Sequence, residues 1–169
     1  AAAAQERERS VGSESRRSWF AVGAAFVVAL GLLIAVPAQA ALRVLVVSGI
    51  GGEPEYETRF VEQANAVARA AGKAAGAMSN VTLLTGAASK REAIEHELQG
   101  LAKTLAASDQ VLIVIIGHGT YDGEEYRLNL PGRDITGAEL LRLFDRLPAN
   151  QQLIVNASSA SGAGAERWK

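Results

Sequence analysis

Two apolar runs that end abruptly in small and polar residues constrain the fold of this chain most. Residues 111–116 are six consecutive aliphatic residues, and Gly-His-Gly follows at 117–119. A second aliphatic run occupies 153–155, and Asn-Ala-Ser-Ser follows at 156–159. Strands buried in a parallel sheet are continuous aliphatic runs, and functional groups gather at their carboxyl ends. The pattern therefore predicts two parallel strands that bring a histidine and a hydroxyl pair to one edge of a sheet.

Short apolar runs and segments of helical periodicity alternate along the rest of the chain after residue 41. Strands are predicted at 42–47 and 81–84, and the alternating residues 126–130 predict a small edge strand between two turns. Three helices are predicted from apolar stripes. These stripes are Phe60, Val61, Ala64, Val67, Ala68 and Ala71; Ile94, Leu98, Leu101 and Leu105; and Leu140, Leu141, Phe144 and Leu147.

Several residues next to these stripes are predicted to cap the helices. Gly72 is placed as a C-cap of the first helix, and Ser89 with Glu92 as a capping box for a second helix over about 90–106. Thr136 is predicted to cap the third helix, which ends at Pro148. Such βαβ units with right-handed crossovers predict an α/β fold, a three-layer α/β/α sandwich with a mostly parallel sheet, and we expect further strands beyond Lys169.

Composition favours a single globular domain and excludes some kinds of site. The formal net charge is −1 and 49% of the residues are hydrophobic, with no basic stripe, so no nucleic-acid partner is expected. The chain has no cysteine, which excludes disulfides and thiolate metal sites. We expect no metal and no cofactor.

The N-terminal 40 residues predict export. After a polar leader at 1–18, Arg16 and Arg17 precede an uncharged apolar stretch from Trp19 to Val36, and a small-x-small exit ends at Ala40. This pattern is typical of a secretory signal cleaved after Ala40, and an uncleaved membrane anchor through Trp19 to Val36 is the alternative. The Arg-Arg pair also resembles a twin-arginine export motif, although an ordinary positive flank explains it. Residues 41–169 are then a periplasmic or secreted domain, or one anchored to the inner membrane.

The order of strands and motifs resembles the caspase-like cysteine peptidases, the group of caspases, legumain and gingipains. The resemblance spans roughly Leu42 to Gly164, and two motifs carry it: Gly117-His118-Gly119 and the segment from Asn156 to Gly162. In the second segment the family has an acidic or amide residue, then Ala-Cys, then often Ser-Gly. The resemblance implies a flavodoxin-like strand arrangement and a peptide or protein as substrate or partner. It also implies that His118 acts as acid–base and that the Gly119 N–H binds the oxyanion.

The sequence departs from this family at the nucleophile. The Ala-Cys pair aligns Ser158 with the cysteine, whereas the Cys-x-Ser-Gly spacing aligns Ser159 with it. A hydroxyl is far less acidic than a thiol and needs a well-oriented base. Three hypotheses follow: a degenerate peptidase that serves as a binding domain, a hydrolase that uses Ser158 or Ser159 with His118, or a replaced cysteine. Asp122 could orient the imidazole, although an Asp-Gly pair is typical of a turn.

Several features also have simpler or competing interpretations. His118 could merely end a strand, the segment 158–162 could be only a loop, and His96 lies off its apolar stripe and is expected on the surface. The Gly-rich residues 49–52 predict, as a weaker alternative, a flavodoxin-like nucleotide or phosphate site. Five loop glutamates could select a basic peptide side chain, or could simply be solvated. They are Glu53, Glu55, Glu57, Glu124 and Glu125.

Overall fold

The computed structural model describes residues 40–165, and within them a parallel sheet alternates with helices. The main sheet contains β1 (Leu42–Ser48), β2 (Val81–Leu84), β3 (Gln110–Gly117) and β7 (Gln151–Ser158). A small sheet contains β4 (Gly119–Tyr121), β5 (Tyr126–Leu128) and β6 (Ile135–Thr136). The α-helices are α1 (Pro54–Ala74), α2 (Arg91–Thr104), α3 (Gly137–Phe144) and α4 (Ser161–Ala165), and short 3₁₀ turns span Met78–Asn80 and Gly86–Ala88.

The predicted α/β class is confirmed by the main sheet, which has the strand order β2-β1-β3-β7 and is parallel throughout. All four predicted strands of this sheet are present at or near their predicted bounds. The predicted edge strand at 126–130 is different: β5 is the central strand of the small antiparallel sheet, between β4 and β6. Tyr126 and Leu128 are buried in the same apolar cluster as residues of β1, β3, α2 and α3.

Alternate residues of β1 and β3 point to opposite faces of the sheet, and each face packs against different helices. One face joins Leu45, Val47, Ile113 and Ile115 to the apolar sides of α2 and α3. The other face joins Val44, Val46, Val114 and Ile116 to the alanines of α1, Ala64, Ala68 and Ala71. Leu153 and Val155 of β7 are exposed. The aliphatic runs therefore supply both apolar clusters of the domain.

Two predicted helix caps are wrong, and each has a local reason. Helix α1 continues through Gly72 to Ala74, because Gly72 leaves room for Met78, whose sulfur would overlap a Cβ at that position. The box of Ser89 and Glu92 does not form, since the Ser89 hydroxyl instead donates to the Gly86 carbonyl at 2.8 Å, inside the preceding 3₁₀ turn.

The predicted cap at Thr136 is confirmed, and it is a complete capping box. The Glu139 N–H donates to the Thr136 hydroxyl at 3.1 Å, and the Thr136 N–H donates to the Glu139 carboxylate at 3.0 Å. This reciprocal pair satisfies two donors at the start of α3. The same carboxylate therefore caps the start of α3 and also accepts hydrogen bonds from α2.

Among the described residues, no helix combines the length and the apolar character that crossing a membrane requires. The apolar stretch from Trp19 to Val36 lies outside the described residues, as do the leader and the predicted cleavage position.

A largely buried ion pair links α2 to α3. Arg91 donates two hydrogen bonds to the Glu139 carboxylate, at 2.7 and 2.8 Å, and a third to Glu95 at 2.7 Å. The arginine and Glu139 side chains are only 12% and 20% exposed. The Arg91 guanidinium lowers the pKa of Glu139 to about 2. Such a bidentate pair fixes the distance and the angle between the two helices.

We predict that Glu139→Gln and Arg91→Met each lower the free energy of unfolding by about 2 kcal/mol at neutral pH, because each removes the charge-assisted bidentate pair and leaves its largely buried partner with fewer hydrogen bonds. The folded-state pKa of Glu139 lies below its ordinary value, so its contribution is complete above pH 4.5 and is lost as the pH falls through about 2. Chemical denaturation across this range measures both effects. Glu139→Gln should therefore flatten part of the acid dependence, and an unchanged dependence would contradict this role.

Candidate functional site

The adjacent pairing of β3 and β7 places the two sequence motifs at the same edge of the sheet. Gly117 is the register partner of Ser158, so the residues that follow them leave the sheet side by side. The Ser159 N–H donates to the Gly117 carbonyl at 3.2 Å and extends this pairing. The His118 Nδ1 and the Ser159 hydroxyl oxygen lie 3.1 Å apart, at hydrogen-bonding distance. The structure therefore brings the imidazole together with one of the two serines.

Ser158, the other candidate, points into the interior. Its side chain is buried, and its hydroxyl is hydrogen bonded to the Tyr126 hydroxyl at 2.6 Å and to Asn156 Oδ1 at 2.8 Å. Burial raises the pKa of the Tyr126 phenol, which keeps it a neutral hydrogen-bonding group. Ser158 therefore ties β7 to β5. Of the two alignments, only the Cys-x-Ser-Gly spacing, which selects Ser159, puts the serine beside His118.

Glycines on both sides of His118 allow close backbone approach at this edge. Gly117 has φ +144°, and a Cβ there would lie 3.1 Å from Gly49 Cα. A Cβ on Gly119 would lie 2.6 Å from both the Ser159 carbonyl oxygen and Tyr126 Cε2. Any side chain at either position would push the imidazole segment away from the neighbouring strand or from the Ser159 turn.

The register of the small sheet determines where the Gly119 N–H points. The Asn129 N–H donates to the His118 carbonyl at 3.0 Å, so Gly119 and Leu128 form a pair that exchanges no hydrogen bonds. The N–H of Gly119 therefore points away from β5. It is a backbone donor one residue from the imidazole.

Two aromatic residues that the sequence analysis did not assign to the site pack against the imidazole. The ring centroids of Tyr56 and Phe60 lie 5.3 and 5.0 Å from that of His118, both in edge-on arrangements. Phe60 was predicted only as part of an apolar stripe, and Tyr56 was not singled out. Their i, i+4 spacing, just after a Gly-rich loop that follows a strand, is the signal that could have identified them.

Asp122 does not contact the imidazole but belongs to the turn between β4 and β5. Its carboxylate accepts the N–H groups of Glu124 and Glu125 and pairs with Arg127. The Arg127 guanidinium holds the pKa of the Asp122 carboxyl well below its usual range. The turn interpretation of Asp-Gly is therefore the one that the geometry supports, and the orienting role is not.

The Gly-rich loop after β1 is occupied by a carboxylate of the chain itself. The Gly51 N–H donates to Glu57 Oε2 at 2.6 Å, and a Cβ at Gly51 would overlap the first turn of α1. A phosphate at this loop would have to displace Glu57 while Glu53 and Glu55 stand nearby in the chain, so the geometry disfavours the nucleotide alternative. Within residues 40–165, no three histidine, aspartate or glutamate side chains gather as a metal ion would require.

The outer acidic residues and His96 were the remaining charged or titratable candidates of the sequence analysis. Glu53 and Glu55 are exposed, and Glu125 accepts the Ala138 N–H at 3.3 Å. His96 lies on the surface of α2, with 84% of its side chain exposed, as its position off the apolar stripe predicts. A role for these glutamates in selecting a basic side chain stays a prediction from charge.

The two serines should respond differently to loss of the hydroxyl. We predict that Ser158→Ala lowers the free energy of unfolding by about 1–3 kcal/mol, because it leaves buried polar groups of Tyr126 and Asn156 with a lost partner. Ser159→Ala should change it by less than about 0.5 kcal/mol, because that side chain is exposed. Urea denaturation of the two variants measures the difference, and equal losses would refute the assignment of Ser158 to the interior.

None of the protein-family models, curated proteins or solved structures compared with this chain matches it. The caspase-like resemblance therefore depends on the two motifs and their spacing, and the function has to be argued from the geometry of His118, Gly119 and Ser159.

Proposed function

We propose that this chain is an exported, caspase-like domain that binds peptide or protein partners at the His118–Ser159 edge, with a peptidase site that is degenerate at its nucleophile. The 3.1 Å contact between His118 Nδ1 and the Ser159 hydroxyl carries the proposal. A base and a nucleophile position in hydrogen-bond reach, beside a backbone N–H, are the parts that acyl transfer needs.

Each of the three groups at this edge would have a role if a peptide bond were bound beside Ser159. A carbonyl carbon seated at Ser159 would have the imidazole on one side, where it can give a proton to the departing amine. The oxygen of that carbonyl would gain negative charge during attack, and the outward N–H of Gly119 is placed to stabilise it. The absence of a side chain at Gly119 keeps this donor accessible.

The nucleophile is the part that limits this site. A serine hydroxyl loses its proton much less readily than a thiol, so it depends on a base whose own orientation and charge are supported, usually by a carboxylate. Asp122, in the turn between β4 and β5, pairs with Arg127, and Glu57, in the first turn of α1, accepts the Gly51 N–H. The site is therefore equipped for a thiol and poorly equipped for a hydroxyl, which favours binding over turnover.

The same proposal includes the finer fold and location. The two apolar clusters on opposite faces of the main sheet support a three-layer sandwich of the caspase-like, flavodoxin-like kind. The apolar stretch from Trp19 to Val36 supports export to the periplasm or the exterior, either through cleavage after Ala40 or with that stretch kept as an anchor.

An active hydrolase that uses Ser159 is the second candidate, because the same hydrogen bond is the one that a serine nucleophile needs. In that mechanism the Ser159 proton passes to His118 Nδ1 as the oxygen bonds to the carbonyl carbon. The imidazole then gives this proton to the leaving amine, and water hydrolyses the resulting ester. Covalent labelling of Ser159 by a fluorophosphonate, absent in Ser159→Ala and in His118→Ala, would favour this candidate over the degenerate site.

We predict that Ser159→Cys gains peptidase turnover on a peptide mixture of varied sequence, because a thiol at that position meets an existing base and an existing N–H donor. The wild-type chain should bind peptides with little or no turnover. Adding His118→Ala to Ser159→Cys should lower the gained rate by about 100-fold or more. Cleavage is followed by mass spectrometry, which also identifies the substrate residue at the cut.

Ser158→Cys is the matched control, since it places a thiol one residue away but in the interior beside Tyr126 and Asn156. This variant should gain no turnover. Equal activity of the two cysteine variants, or an inactive Ser159→Cys that also fails to bind peptides, would overturn the proposed function.

A further inference from the structure

Two aromatic side chains on one face of α1 confine the imidazole of His118. Tyr56 and Phe60 are four residues apart, with ring centroids 6.0 Å from each other. Their planes are inclined to the imidazole plane by 67° and 76°. Edge-on contacts of this kind are the preferred geometry of neighbouring aromatic rings. Tyr56 and Phe60 together form an aromatic pair beside the imidazole.

The helical turn that carries the aromatic pair is fixed to the edge of the sheet by the Gly-rich loop. The Gly49 N–H donates to the Ile116 carbonyl at 2.8 Å, two residues before the imidazole. The Gly51 N–H donates to Glu57 Oε2, and the backbone of Tyr56 and Glu57 occupies the space that a Gly51 side chain would fill. The glycines of this loop therefore let the start of α1 lie against the end of β3.

We propose that Tyr56 and Phe60 are positioning residues that hold the His118 ring with Nδ1 directed at Ser159. In a Ser-His-Asp triad a carboxylate orients the imidazole. Here Asp122 is turned to Arg127, and two apolar ring contacts take over the orienting task. The catalytic consequence rests on the proposed function, whereas the orientation itself does not.

Orientation by rings differs chemically from orientation by a carboxylate. The aromatic pair restricts rotation of the imidazole but supplies no negative charge to support a proton on it. The hydrogen bond with Ser159 is then the contact that selects between the two neutral tautomers. A base held in place without a neighbouring carboxylate suits a thiol, which is far more acidic than a hydroxyl, and serves a hydroxyl poorly.

Side-chain nitrogen NMR of the full chain tests this inference without any need for turnover. The sequence has two histidines, and the exposed His96 is an internal reference. In the wild type, we expect His118 to show one neutral tautomer, with Nδ1 as acceptor, and proton shifts moved by the neighbouring rings. The double variant Tyr56→Leu/Phe60→Leu should mix the two tautomers and move the His118 shifts toward those of His96.

Tyr56→Phe keeps the ring and is the matched control, so its His118 signals should stay as in the wild type. In the Ser159→Cys background the double leucine variant should lower kcat roughly tenfold with KM little changed, the factor expected for two aromatic contacts. Unaltered His118 signals in a natively folded double leucine variant would overturn the positioning role. An inactive Ser159→Cys that also fails to bind peptides, with the expected NMR changes present, would instead contradict only the proposed function.

Discussion

The pairing of β3 with β7 is the constraint on which the site depends. Eight consecutive register partners, from Gln110 with Gln151 to Gly117 with Ser158, fix where each strand stops. Alternation along a strand has a period of two, so a slip of one residue would exchange the faces of Ser158 and its neighbours. Ser158 would then leave the interior, and Ser159 would lose its place beside His118. The chemistry of this edge is therefore set by the hydrophobic pattern of two strands.

Much of this arrangement could be predicted from the sequence because its causes are local. The aliphatic runs of β1 and β3 have no other stable place than a buried parallel sheet. The Thr136 cap followed from residues three positions apart. The predicted Ser89 box was wrong because the Ser89 hydroxyl bonds within a 3₁₀ turn, and the predicted Gly72 cap was wrong because Met78 packs against Gly72. Neither contact can be predicted from residue spacing alone.

The sequence alone could not decide which serine lies beside His118, because that choice also depends on contacts between residues far apart in the chain. Ser158 and Ser159 are neighbours with the same side chain, and two alignments of the motif selected one each. Tyr126, thirty-two positions away from Ser158, decides the matter by bonding its hydroxyl in the interior. Tyr56 and Phe60 were similarly missed, because helical spacing alone does not distinguish a core stripe from a contact with a strand end, and only their place just after the Gly-rich loop does.

The electrostatics of this edge bear on why the proposed site would bind a peptide more readily than cleave it. Asp122 is bonded to Arg127 and to two backbone N–H groups, and Glu57 is bonded to the Gly51 N–H, so these two carboxylates stabilise local backbone and not the imidazole. The Tyr56 and Phe60 rings contact His118, and such contacts restrict its orientation without contributing a charge. A thiol is far more acidic than a hydroxyl, so it would need less help from such a base to lose its proton. Under the proposed function, a serine in place of a thiol nucleophile would weaken attack while the backbone, the glycines and the imidazole keep their arrangement.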